Sequence, residues 1–179
     1  MRGLLMCDPV KLFADVIQEF HNHSKWDGAP LSGIKTLANT LVGSVGQLFI
    51  ERLCEELSMT CSFPVNKKGT RLTQSPWDIK IADIEFELKT ATEDVGGSFQ
   101  FNHIRYHRPY QALLCLGVSP ANLYFRVWSK GDVATGKAGS LVSMEKGANA
   151  SYKLTKKPIQ LHEIANFESE IKKFTKEFK

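Results

Sequence analysis

The sequence lacks any run of eighteen apolar residues, the least a helix needs to cross a bilayer, and no contact with a membrane is expected. Its opening, MRGLLMCDPVK, has too short an apolar stretch to be a secretory signal, so a soluble, cytoplasmic protein is expected. Cysteine is scarce. Cys7, Cys54, Cys61 and Cys115 lie far apart, without a CxxC pair or a ladder of histidines that would complete a zinc site, and read as buried reduced thiols. There is no polybasic tail: the formal charge of +4 permits a phosphate-rich partner without requiring one. No internal repeat is present.

What remains is 179 residues, 42% apolar and 23% charged, enough to bury one sizeable core in a single domain spanning 1–179. Asp8-Pro9 supplies an N-cap with proline at the first helical position. Leu12, Phe13, Val16, Ile17 and Phe20 continue with helical spacing, predicting a helix over residues 9–22. A second helical stretch runs from near Ile34 to Leu57, with Gly43 and Gly46 as places to bend or to admit another backbone.

The period then changes from helical to two-residue. Ile79, Ile81, Ile84, Phe86 and Leu88 alternate with Asp78, Lys80, Glu85, Glu87 and Lys89, predicting two strands joined tightly at Ala82-Asp83. YQALLCLGV (110–118) and LYFRVW (123–128) read as central strands joined by SPAN. From 129 to 157 the chain is rich in Gly, Ala, Ser and Lys, a functional loop or a floppy insertion. Ile164, Phe167, Ile171, Phe174 and Phe178 then mark a closing amphipathic helix. The order of elements reads as an α/β or α+β sheet domain with helices against the sheet.

On a strand, side chains two apart share a face, so Glu85, Glu87 and Lys89 project together, and hairpin pairing brings Asp78 beside Glu87. Carboxylates held close repel unless a cation lies between them, and hard oxygen ligands suit Mg²⁺, which completes its shell with water and substrate phosphate. A lysine two residues on can orient the attacking water and stabilise charge on the phosphate. The bland alternative is a solvated strand face with cross-strand Glu–Lys pairs.

Pro76-Trp77-Asp78, followed after eight residues by Glu87-Leu88-Lys89, resembles the PD-(D/E)xK signature of the restriction-endonuclease-like nucleases. VGSVGQLFIERLCEEL offers Glu51 on an upstream helix, as is typical of that family, and the order of elements over about residues 40–128 resembles the family core. GQLFIE and ELKT are also similar to the branch holding the mismatch-repair nicking enzyme MutH, although there the helix glutamate falls one residue nearer the glycine and the Asp-to-Glu gap is shorter.

The resemblance implies a restriction-endonuclease-like α/β fold, with a mixed central sheet flanked by helices. It implies Asp78 and Glu87 as metal ligands, with Glu85 in place of Glu87 if the register slips, Lys89 and Glu51 beside them in catalysis, and Mg²⁺ as cofactor with Mn²⁺ able to substitute. It also implies double-stranded DNA as partner, a homodimer for cutting both strands of a palindrome, products with 5′-phosphate and 3′-hydroxyl ends, and a prokaryotic or phage-like setting. A monomeric nicking or repair nuclease of the same fold, or an inactive nucleic-acid-binding module, are the alternatives.

SFQFNHIRYHRPY (98–110) presents Gln100, Asn102, His103, Arg105, His107 and Arg108 with no acidic residue among them, the side chains that read base edges and neutralise phosphate. A polar helix or loop covering the sheet is the plainer reading of that segment. GDVATGKA (131–138) imitates a P-loop but has Ala138 where a hydroxyl belongs, so no nucleotide cofactor is expected. Lys130 and Lys137 are instead expected to track a nucleic-acid backbone.

Overall fold

The computed structural model describes residues 24–72, 75–147 and 149–178. The expected helix over residues 9–22 lies outside them.

The hairpin forms as the alternation predicts. Ile79–Ile81 (β2) pairs antiparallel with Ile84–Thr92 (β3), Ile79 opposite Phe86 and Ile81 opposite Ile84. Ala82 and Asp83 both take left-handed backbone, with φ of 48° and 70°, and so close a two-residue turn whose twist matches that of the strands. Cys61–Ser62 (β1) lies against β2, while Ala112–Val118 (β5) runs parallel to β3. Leu123–Ser129 (β6) and His162–Glu163 (β9) complete a mixed six-stranded sheet in the order β1-β2-β3-β5-β6-β9.

Every residue of β5 is buried, because both faces of the sheet are covered at that strand. Ala112, Leu114 and Leu116 join Phe86, Leu88, Phe125 and Phe167 in one core, under the helices Asn39–Glu56 (α1) and Phe167–Phe178 (α3). Leu113 and Cys115 join Phe99, Phe101 and Leu154 in a second core on the opposite face, beneath a three-stranded antiparallel sheet. That sheet consists of Phe99–Ile104 (β4), Tyr152–Lys156 (β8) and Leu141–Ser143 (β7), in the order β4-β8-β7. The protein is therefore a mixed α/β fold, with helices on one face of its mixed central sheet and a small sheet on the other.

Three elements differ from the reading of the sequence. The stretch from Ile34 to Leu57 is broken: Ser32–Thr36 forms a 3-10 turn, Leu37 and Ala38 are extended, and α1 starts at Asn39. The apolar spacing crosses this break because Leu37 still faces the same apolar recess as Val45 and Phe49. Residues 99–104 form a strand rather than a polar helix or loop. Phe99 and Phe101 point inward, but the register shifts between Phe101 and Ile104, where His103 takes a φ of 58°, and this bulge hides the two-residue period. Residues 129–157 are no single loop. They hold the short helix Lys130–Ala134 (α2) as well as β7 and β8, with Leu154 and Lys156 turned inward.

Helix α1 rests on β3 through Gly46. A Cβ built there would lie 1.9 Å from Oγ1 of Thr90, whereas one at Gly43 meets nothing within 4 Å. Gly46→Ala should therefore lift the helix and lower stability by about 1–3 kcal/mol. Gly43→Ala should raise it by about 0.5–1 kcal/mol through helix propensity alone. Urea unfolding midpoints of the two variants provide the check, and a Gly46→Ala protein as stable as the parent would contradict the close packing.

Candidate active site

Strand β3 carries the central side chains. Phe86 and Leu88 face the helical core, so Glu85, Glu87 and Lys89 face the other way, toward the small sheet. Continuing the β2–β3 register by one residue sets Asp78 opposite Glu87, and the Asp78 N–H donates to the Phe86 carbonyl at 2.8 Å. Beyond Phe86 no strand pairs with that edge of β3 among the described residues, and Oδ2 of Asp78 takes the vacant role by accepting the Leu88 N–H at 2.8 Å. The backbone thus sets the two residues opposite each other on the sheet edge, with the Asp78 carboxylate turned onto the Leu88 amide.

Glu87 is fully buried. Lys89 Nζ lies 2.6 Å from its Oε1 as the paired cation, and Oε2 has no hydrogen-bond partner among the described residues. Arg108 Nη1 stands 3.9 Å from Oε2. Burial, which disfavours the charged form, raises the Glu87 carboxyl above its ordinary pKa; Lys89 opposes this, Asp78 adds to it, and Arg108 opposes it weakly. Nearby, the Tyr110 hydroxyl is buried without a hydrogen-bond partner among the described residues, and desolvation followed by the Glu87 charge pushes its pKa up as well.

These residues fit a hard divalent cation. A buried carboxylate whose Oε2 lacks a hydrogen-bond partner among the described residues, opposite a second carboxylate, offers oxygen donors to such an ion. No cluster of three or more Asp, Glu, His or Cys side chains converges among the described residues, so any cation held here draws the rest of its shell from backbone, water or substrate. Mg²⁺ accepts such a shell readily.

The remaining candidates fall into separate places. Glu51 is ion-paired with Arg71 at 3.2 Å and is not gathered to the two carboxylates. One turn earlier on α1, Gln47 donates to the Asp78 carbonyl at 3.1 Å. Sequence reasoning passed over Gln47, though its i, i+4 spacing from Glu51 puts both on one helix face. Glu85 sits near the hairpin turn, paired with Lys80 at 3.3 Å.

Lys89 lines a cleft of about 460 Å³ together with Asn39, Val42 and Gly43 of α1 and Gln100, Asn102 and His103 of β4. Gln100 Nε2 donates to Asp94 at 3.1 Å, and His103 Nδ1 lies 3.2 Å from the Ser151 hydroxyl. Asp78 opens on the other side, into a smaller cleft with Ser44, Gln47 and Arg71. Arg105 and His107 flank Tyr106 in the turn after β4, Arg105 half-buried and His107 exposed.

Lys130 turns inward, its Nζ 2.5 Å from the Arg108 carbonyl and 4.9 Å from the Tyr110 ring centre. Lys137 is exposed, ion-paired with Asp132 at 3.1 Å, and lines a different recess beside α3. In GDVATGKA the helix comes at the start, capped by the Ser129 hydroxyl, rather than after the lysine.

The raised Glu87 carboxyl makes a prediction about pH. The native state holds this proton more tightly than the unfolded chain, so stability falls as pH rises from the ordinary glutamate value, about 4.3, through the raised native value. Chemical unfolding in EDTA across that window should show the decline in the parent and a flatter profile in Glu87→Gln. Identical slopes would remove Glu87 as the cause.

No protein-family model matches the chain, and no curated protein matches it. Among solved structures it is similar to a bacterial homing endonuclease, 13% identical, with a TM-score of 0.38 over 65% of this chain and 75% of that one. A likeness so distant transfers neither residues nor activity.

Proposed function

We propose that this chain is a Mg²⁺-dependent endonuclease that hydrolyses DNA phosphodiester bonds, of the site-specific restriction kind, leaving 5′-phosphate and 3′-hydroxyl ends. The observation that carries the reading is the buried Glu87 carboxylate, paired with Lys89 through Oε1, with Oε2 lacking a hydrogen-bond partner among the described residues, at the strand position opposite Asp78. Keeping such a charge in the core is costly unless an ion compensates it, so a purely structural role explains the arrangement poorly.

Asp78 and Glu87 are the proposed metal ligands. Bound there, Mg²⁺ would supply charge neutralisation at the phosphate and a more acidic water, and Mn²⁺ is expected to substitute. Lys89, half-buried at the mouth of the cleft, would hold the attacking water and face the developing negative charge. Glu51, paired with Arg71, is retained only as an outlying helper through the helix it shares with Gln47.

Gln100, Asn102 and His103 line the same cleft as Lys89, which supports their contacting duplex DNA as readers of base edges, with Arg105, His107 and Lys137 as more distant phosphate contacts. Cutting both strands of a two-fold site would call for a homodimer, since palindromic sites mirror two-fold proteins.

Incubating supercoiled plasmid with Mg²⁺ and the parent protein, Asp78→Ala or Lys89→Ala tests the reading. Each variant should lose about a thousandfold in cleavage rate. Discrete linear bands from the parent would support a restriction enzyme, and nicked circles a single-strand cutter. Equal products from all three proteins would sink the site, and binding without any cutting would favour an inactive module.

A further inference from the structure

Arg108 enters the site from the turn between β4 and β5, a part of the chain remote from the hairpin that carries the carboxylates. Its Nη1 donates to the Ser75 carbonyl at 3.3 Å, in the loop that leads into Asp78. Its own carbonyl accepts from Lys130 at 2.5 Å, and its N–H donates to the Arg105 carbonyl at 3.3 Å. Main chain and side chain are thus both tied down, which sets the guanidinium at the edge of the Asp78–Glu87 pair.

Against Glu87 the guanidinium stands off. The 3.9 Å separation is an ion pair without a hydrogen bond, and the side chain keeps 27% of its surface exposed while Glu87 keeps none. A guanidinium carries five N–H donors in a planar fork suited to two oxygens of a phosphate at once. Here the Ser75 carbonyl is the acceptor that the side chain reaches among the described residues, which leaves most of the fork for a ligand arriving from solvent. Lysine in this position would be a point charge without the fork.

We infer that Arg108 is the phosphate-binding residue of this centre: in the free protein it is a second counter-charge to Glu87, farther off than Lys89, and it turns its remaining donors to the scissile phosphodiester when nucleic acid and a divalent cation are bound. The inference rests on the nuclease reading. It makes Arg108 and the cation competitors for the charge on Glu87, so the arginine should be visible in metal binding when no DNA is present. It also gives Lys130 a positioning role, since that ammonium holds the Arg108 carbonyl while lying over Tyr110.

Mg²⁺ titration calorimetry without DNA, duplex binding in EDTA and single-turnover cleavage, applied to the parent, Arg108→Met and Arg108→Lys, form the test, with thermal melting to check folding. Arg108→Met should bind Mg²⁺ up to about fivefold more tightly, the size expected of a partly exposed ion pair. It should bind duplex more weakly in EDTA and cut about a hundredfold more slowly. Arg108→Lys should return metal affinity to the parent value while recovering only part of the cleavage rate, because charge returns and the fork does not.

Unchanged Mg²⁺ affinity in Arg108→Met overturns the inference, as does full cleavage by Arg108→Met when the parent also cuts. A parent that cuts nothing overturns the nuclease reading and the inference with it. If Arg108→Met does not melt cooperatively, Arg108→Lys decides alone: parent-like metal affinity with slowed cleavage supports the assignment, and parent-like cleavage overturns it.

Discussion

The arrangement depends on one costly act, the burial of the Glu87 carboxylate. A lone charge taken out of water costs several kcal/mol, and the neighbours answer it only in part. Lys89 and Arg108 offset the charge, Asp78 aggravates it, and Oε2 has no hydrogen-bond partner among the described residues. The carboxylate cannot turn away, because Phe86 and Leu88 on either side are committed to the helical core. The alternation that builds the sheet also forces Glu87 inward, beneath the small sheet.

The two cores explain how the strain is tolerated. β5 is sealed on both faces and binds β3 along seven paired positions, from Phe86–Ala112 to Thr92–Val118. A strand anchored that way cannot shift its register to relieve one residue, since every side chain would exchange faces. On the helical side the close Gly46–Thr90 contact brings α1 down onto β3, which carries Gln47 to the Asp78 carbonyl.

Much of this was legible from residue order, and what was not has physical causes. The hairpin, β6 and α3 announce themselves because each keeps one period throughout its length, and β5 because it is an almost continuous apolar run of strand length. The juxtaposition of Asp78 with Glu87 followed from pairing geometry alone. β4 was hidden because its bulge turns Asn102 and His103 outward in succession, and β8 because its inward pair is Leu154 with a lysine, whose ammonium lies 5.5 Å from the Trp128 ring centre. The partners of Glu51 and Lys130, and the approach of Arg108 and Tyr110 to Glu87, arise from long-range packing that no local pattern encodes.

The free edge of β3 beyond Phe86 has one more consequence. An exposed strand edge is a template on which a foreign strand can add, the ordinary route to sheet-to-sheet association. Here the edge is recessed between α1 on one side and β4 on the other, and its first N–H is already taken by Asp78. The walls of the cleft therefore act as a steric guard: they block the flat approach a pairing strand requires, while side chains along the floor stay within reach of a ligand that enters edgewise.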